Sequence, residues 1–228
     1  MSLRDTRTLI AAGVIGVLTA CGAAQAAPLV PSAVVTTPVP SEPDPTGGVV
    51  QAGTGLPVIF SSAAPNFSGT LTTTVIAGDP SNSLGGLTFT YQITNDAVSA
   101  TSLARLTANN FKGWLTDVSF KTTGAGQIVP TSVDRDNLSD ALGPSVGFNY
   151  QVAQLGGLGK ITPGATSALM VVQTNAPAFA PITDSIIDGG QANVASFGPV
   201  PEPGSIALLG LAGVFAMRRR ASRQSLQH

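Results

Sequence analysis

Alternation of apolar and polar residues with a period of two is the feature that most limits what this chain can fold into. It runs through three stretches, residues 71–77, 87–93 and 146–152, where aliphatic and aromatic residues alternate with Thr, Gln, Asn and Gly. Successive side chains of a β-strand point to opposite faces, so this pattern predicts half-buried strands. Between residues 51 and 199 no stretch keeps an apolar face at helical period for three turns. The central region is therefore predicted to be all-β.

Turn signals separate further candidate strands in the same region. Gly, Pro, Asn and Asp cluster at residues 78–82, 85–86, 124–126, 156–157, 163–164 and 188–190. Candidate strands lie at residues 103–108, 115–121, 168–173, 185–188 and 193–197. About eight to ten short strands with regular turns predict an antiparallel β-sandwich, with a small barrel or jelly roll as the alternative. The Phe89/Tyr91 and Phe148/Tyr150 faces are expected to meet between two sheets.

The N-terminus has the three parts of a secretory signal peptide. Residues 1–8 are polar with two arginines, residues 9–20 are apolar and uncharged, and small residues follow. The apolar run is too short to remain as a spanning anchor, which needs about 20 residues. Ala24 and Ala26 fit a signal-peptidase site with cleavage before Ala27. Residues 1–26 are therefore predicted to pass through the Sec translocon and to be removed by signal peptidase.

Cys21 is the only cysteine of the chain. The sequence Leu18-Thr19-Ala20-Cys21 also fits a lipobox, in which Cys21 would be acylated and become the new N-terminus, so lipidation stays open as an alternative. Under either alternative the exported domain has no disulfide, and its fold depends on its own core.

The region between the signal peptide and the first clear strand is rich in proline. Six prolines fall within residues 28–45, a density that favours an extended, polyproline-like chain over helix or sheet. Residues 27–50 are predicted to be a linker, a semi-rigid spacer or a disordered arm, and residues 51–199 the β-sandwich domain.

The C-terminus combines a structure-breaking motif, an apolar run and an arginine cluster. The motif is Val200-Pro201-Glu202-Pro203, the apolar run covers residues 205–217, and Arg218, Arg219 and Arg220 follow. The two prolines lack backbone N–H groups and end regular structure. Arginines after an apolar helix stay cytoplasmic and stop transfer through the membrane. The apolar run is short for a full span, and an ordinary tail anchor is the alternative.

These three contiguous C-terminal parts resemble the PEP-CTERM sorting signal of Gram-negative bacteria. The resemblance implies that residues 200–228 form a sorting segment, which a membrane-embedded exosortase recognises at Val200, Pro201, Glu202 and Pro203. Residues 86–95, 161–164, 174–176 and 186–190 are also similar to segments of exported PEP-CTERM proteins. The implied route is an inner-membrane intermediate, followed by delivery to the cell surface or the extracellular space.

The charges of the central region argue against a nucleic-acid or anionic-lipid partner. Once the signal peptide and the sorting segment are set aside, five basic and ten acidic residues remain, a net charge of −5. A mildly acidic domain lacks the basic surface that such partners require. The partner of the exported domain is instead expected to be exopolysaccharide or another matrix component.

Catalytic chemistry has few candidate residues in this chain. Gly143-Pro144-Ser145-Val146-Gly147 matches the Gly-x-Ser-x-Gly elbow, but that motif needs a following helix and a histidine base. His228 is the single histidine and lies beyond the arginine cluster, and a strand pattern follows Ser145. We interpret the motif as a turn that enters a strand, with no catalytic residue and no cofactor.

Three other chemistries stay open as alternatives. Asp134, Asp136, Asn137 and Asp140 form the densest group of oxygen ligands and suggest calcium, although the EF-hand pattern is not met. Trp114 and Phe111 suggest a sugar-stacking platform, against the simpler reading of core packing. A secreted hydrolase would need two carboxylates brought together by the fold. The preferred interpretation is a non-enzymatic surface or matrix protein, with a calcium- or glycan-binding module next and a hydrolase last.

We predict that the mature chain begins at Ala27, because Ala24 and Ala26 supply the small side chains that signal peptidase requires. N-terminal sequencing of the exported protein checks this. An acylated Cys21 at the N-terminus would establish the lipoprotein alternative instead.

Overall fold

The computed structural model describes residues 27–36, 39–136, 143–150 and 159–200. These ranges hold thirteen strands and no helix, hence no helix that would cross a membrane. The predicted signal peptide and the apolar run at 205–217 lie outside them. All strand pairs are antiparallel, and the predicted all-β sandwich is confirmed.

Seven strands form the first sheet. They are β1 (Ala27–Pro28), β3 (Val49–Val50), β4 (Pro57–Ala63), β5 (Asn66–Ala77), β6 (Thr88–Asn95), β8 (Thr116–Lys121) and β11 (Leu169–Thr174). Their order is β1-β8-β11-β6-β5, with β3 and β4 both paired to the far edge of β5.

Six strands form the second sheet. They are β2 (Val34–Thr36), β7 (Arg105–Ala108), β9 (Ser132–Arg135), β10 (Val146–Asn149), β12 (Phe179–Ile187) and β13 (Gln191–Pro199). Their order is β13-β12-β7-β10-β9-β2, so β13 is an edge strand. Each candidate strand from the alternation pattern overlaps an observed one, whereas β4, β9 and the three N-terminal strands were not predicted.

The core lies between the two sheets, and the expected aromatic faces are buried in it. Phe89, Tyr91, Phe148 and Tyr150 have no exposed surface. The Tyr150 hydroxyl donates to Met170 Sδ of the facing sheet at 2.8 Å. Phe89 packs edge-to-face on Phe111, with ring centroids 5.8 Å apart. Each such side chain contributes roughly 1.5–3 kcal/mol through burial.

The proline-rich region does not form the free spacer that its composition predicts. β1 pairs with the edge of β8, and β2 pairs with β9 of the other sheet, so this segment crosses from one sheet to the other. Leu29 and Val39 are buried in the core. The prediction was wrong because prolines are tolerated on edge strands, where a missing N–H faces away from the ladder. The described residues of this region, from Ala27 onward, thus belong to the folded domain.

One carboxyl group is buried between the sheets. Asp184 has no exposed surface and accepts a hydrogen bond at Oδ1 from the Asn109 backbone N–H at 2.8 Å. Burial raises its pKa to about 7, partly offset by Ser196 and by that backbone donor. The pKa of Tyr91 is also raised, by burial and then by the charge of Asp184. The core therefore tolerates Asp184 best in its protonated form.

Asp184→Asn should stabilise the exported protein at pH 8 and change little at pH 4. The folded-state pKa lies above the unfolded value, so the carboxyl favours folding below about pH 4, and this contribution is lost as the pH rises through about 7. Asparagine keeps the acceptor for Asn109 and removes the charge, with an expected gain on the order of 2–4 kcal/mol at pH 8. Thermal unfolding at both pH values measures it.

The half-buried Asp96 provides a matched control for this change. Its carboxylate accepts a hydrogen bond from Ser68 Oγ at 2.6 Å outside the core, and Asp96→Asn makes the same chemical change there. A pH-dependent gain of equal size in the Asp96 variant would contradict the assignment to Asp184.

Candidate functional site

Four loops meet at one end of the sandwich, beside the last residues of β13. They are residues 79–87, 109–115, 143–145 and 175–178, and we call this the pocket end. Backbone and side-chain hydrogen bonds join them: Gly86 N–H to Thr174 O at 3.0 Å, Phe111 N–H to Pro144 O at 2.9 Å, and Leu115 N–H to Asn175 Oδ1 at 2.8 Å. The loops therefore form one connected surface.

The C-terminal segment leaves the domain at this same end. Pro199 closes β13 opposite Phe179, and its carbonyl accepts a hydrogen bond from Asn110 Nδ2. The Val200 N–H still donates to Ala178 O at 3.1 Å. Pro201, Glu202 and Pro203 lie outside the described residues, as do Arg218, Arg219 and Arg220. Of the predicted motif, the structure thus places Val200 alone, held against the sheet.

The predicted signal-peptidase site meets the fold at its C-terminal side. Ala24 and Ala26 lie outside the described residues, whereas Ala27 is the first residue of β1, opposite Val118. Two positions further along the same edge of β8, Phe120 is bridged by Ser41. This edge therefore has room for little more of β1 before Ala27.

An open, mainly apolar pocket of about 300 Å³ lies at the pocket end. The N-terminal segment forms one wall and the loop before β8 forms the other, with Pro28, Leu29, Val30, Leu84, Trp114 and Leu115 in the lining. This volume is at the small end of the range for ligand pockets. The Trp114 Nε1–H is buried and has no hydrogen-bond partner in the described part of the chain.

Of the two aromatic residues suggested as a sugar-stacking platform, only Trp114 reaches the surface. Trp114 lines the pocket and is half-buried, but Phe111 has no exposed surface and packs on Phe89. Phe111 therefore belongs to the core, and the structure does not bring the two rings together as a surface for sugar stacking. Sequence alone could not separate them, because both sit in one short loop.

Arg135 connects the walls of the pocket. It is 3% exposed, and its Nη2 donates to Phe111 O at 2.7 Å and to Trp114 O at 2.8 Å. Its Nη1 donates to Leu29 O at 3.1 Å and to Thr116 Oγ1 at 3.0 Å. Burial lowers its pKa. One guanidinium thus ties the N-terminal segment to the loop before β8.

The turn before β10 supplies a further hydrogen-bond acceptor for Arg135. Nε donates to Gly143 O at 3.1 Å, and Gly143 has φ of 50°, a conformation that favours glycine. A Cβ at this position would also lie 2.7 Å from Nε. Ser145 is buried, and β10 begins at the next residue, Val146, so a strand directly follows Ser145, as expected.

The described part of the proposed calcium loop begins within a strand. Asp134 and Arg135 belong to β9, and the Asp134 carboxylate accepts from Arg105 Nη2 at 2.7 Å and from Asn149 Nδ2 at 2.6 Å. These contacts outweigh burial and lower its pKa. Asn137 and Asp140 lie outside the described residues. Asp134 is thus engaged by a cation, and no group of potential metal ligands occurs in the part of the chain that is described.

Three other carboxylates gather near the start of β1. The Asp117 carboxyl lines the pocket, and burial, followed by the charge of Asp44, raises its pKa to about 6. The pKa of Glu42 is raised by burial and then by Asp44. Asp44 Oδ2 accepts from Ser119 Oγ at 3.3 Å. Among the described residues only Asp117 of these three lines the pocket, so the pair that a glycosidase needs is not assembled there.

Sequence reasoning missed the residues that build this end. Arg135 stands between two aspartates in the sequence, which gives no sign that its side chain is buried. Asp117 and Asp184 gave no signal, because a lone aspartate within a short strand pattern looks the same whether it is exposed or buried. Tertiary packing alone raises their pKa values.

The chain is thus an antiparallel β-sandwich protein with a C-terminal segment that begins at the end of its last strand. No curated protein and no solved structure gives a significant match to it. The family model of the PEP-CTERM protein-sorting motif matches residues 199–221. The chain carries this motif and is an exported, membrane-processed surface protein sorted by an exosortase.

Arg135→Met should destabilise the domain by about 3–5 kcal/mol, because it removes the hydrogen bonds of a buried guanidinium to four carbonyls and to Thr116 Oγ1. Chemical denaturation measures the loss. Arg105→Met is the control, since Arg105 is 25% exposed in its pair with Asp134 and should contribute about 1 kcal/mol after solvent screening. Equal losses in the two variants would contradict a central role for Arg135.

Proposed function

We propose that the chain is a non-enzymatic protein whose sandwich is delivered to the cell surface or extracellular matrix after exosortase acts at residues 200–203. The observation that carries the proposal is the position of the sorting motif. It starts at Pro199, inside β13, and Val200 is still hydrogen-bonded to the sheet. The motif follows the folded domain without a linker.

The prolines of the motif do not favour continued strand pairing. Neither Pro201 nor Pro203 has an N–H to donate to a neighbouring strand, so we expect the motif after Val200 to be presented as an extended, accessible peptide. Such a peptide suits a protease, which binds substrate in extended form. Glu202 is its one charged residue, and we assign it the role of specificity determinant.

The residues after the motif hold this peptide at the membrane. Residues 205–217 are apolar and enter lipid, and Arg218 to Arg220 prevent passage through it. Moving one cationic side chain to the bilayer centre costs at least about 2.5 kcal/mol. The precursor therefore presents the motif at a nearly constant depth until it is cut.

Several charged side chains of the domain are paired with other side chains or with backbone carbonyls, and this supports the non-enzymatic part of the proposal. Asp134 pairs with Arg105, Lys160 pairs with Asp188 at 2.7 Å, and Arg135 holds the pocket wall. Ser145 stands before a strand. Matrix polysaccharide remains the proposed partner class after release.

Glu202→Ala should leave uncut precursor in the inner membrane of a host that has the exosortase, because the motif loses its only charge. Glu202→Gln, which keeps the shape, separates charge from size. Deletion of Arg218 to Arg220 should weaken membrane retention before cutting. Fractionation and mass spectrometry of both chain ends provide the measurement. A mature protein that extends through Arg218, with processing unaffected by these changes, would refute the proposal.

A further inference from the structure

Exposed apolar side chains surround the pocket where the sorting segment leaves the domain. Val30 is 60% and Leu115 is 58% exposed, and both line the pocket with the half-buried Trp114. Leu115 bonds to Asn175, and three residues further on Ala178 bonds to Val200. Leu115 on the pocket rim and Val200, where the described chain ends, are therefore both bonded to the short loop 175–178.

The chain between this exit and the apolar run is short. Pro201 to Gly204 are the four residues that separate Val200 from Ser205. An extended chain spans at most about 3.3–3.6 Å per residue, so the two positions are at most about 17 Å apart. While residues 205–217 remain in lipid, the pocket end must stay close to the bilayer surface.

We propose that the pocket end docks on the bilayer in the anchored precursor, with Trp114, Val30 and Leu115 in contact with the lipid interface. The inference rests on the proposed function, since it requires the apolar run to be inserted. It adds a lipid-binding surface on the folded domain itself. Docking fixes the orientation of the domain, and the motif at Val200 then faces the membrane where the exosortase lies.

The chemistry of the pocket fits a lipid interface. Tryptophan is enriched at the boundary between hydrocarbon and headgroups because its ring is apolar and its N–H is polar. Trp114 lines the open apolar pocket with a half-buried ring. Acyl chains that enter the pocket contact this ring and the exposed Val30 and Leu115.

The opposite end of the sandwich offers a matched control. Val98 is 85% exposed in the loop after β6. β6 has eight residues, so about 25 Å separate its two ends. Val98→Asp therefore places the same charge on an even more exposed valine, at the end of the sandwich away from the pocket.

Trp114 is the only tryptophan in the chain, and its fluorescence reports on this contact directly. The precursor is purified from a host without exosortase and placed in nanodiscs of phosphatidylethanolamine and phosphatidylglycerol, with plain or brominated acyl chains. Trp114 should lose most of its emission in the brominated lipid. Val30→Asp and Leu115→Asp should restore it, and Val98→Asp should not. Both rim residues are exposed, so these variants keep the core.

The outcomes separate this inference from the function on which it rests. A precursor that does not associate with nanodiscs refutes anchoring, and with it the docking. An anchored precursor whose Trp114 is unquenched overturns the docking alone, as does equal quenching in Leu115→Asp. The other occupants to be tested for the pocket are a second copy of the chain, seen by crosslinking, and a co-purifying small molecule. If Trp114 is then shielded from solvent but not quenched by brominated lipid, the pocket belongs to that occupant and the docking proposal is overturned.

Discussion

The buried guanidinium of Arg135 is the contact on which the functional end of this protein depends. It donates to carbonyls of the N-terminal segment, the loop before β8 and the turn before β10. One buried side chain thus joins three separate parts of the chain. Leu29 and Trp114, which line the pocket, both accept hydrogen bonds from it through their backbone carbonyls.

The predicted signal-cleavage site and the sorting motif both adjoin strands of the described domain. Ala27, the predicted first residue after signal cleavage, begins an edge strand, and Pro199, the first residue of the sorting motif, ends another. Under the proposed function, residues 205–217 enter lipid with only four residues between them and Val200, which makes the surface chemistry of the pocket end relevant to sorting.

The interior holds more polar groups than its composition suggests. Asp184 lies between the sheets near Ser196, which exchanges a hydrogen bond with Thr73 of the facing sheet at 2.8 Å. Tyr91 donates to Phe197 O at 3.3 Å in the same region. Hydrogen bonds satisfy most of these groups, and protonation of Asp184 relieves the rest. Such contacts set the relative position of the two sheets more strictly than aliphatic packing does.

The sequence by itself determined the fold class, most strand positions and the sorting motif. A period of two places side chains on opposite faces whatever the tertiary context, and the C-terminal motif is contiguous, so neither depends on distant residues. Only the tertiary structure decided the rest. Six prolines predicted a free spacer at residues 27–50, but free edges of β8 and β9 accepted it as strands. Likewise Arg135, Asp117 and Asp184 are ordinary charged residues in the chain, and their burial comes from partners many residues away, which local pattern does not record.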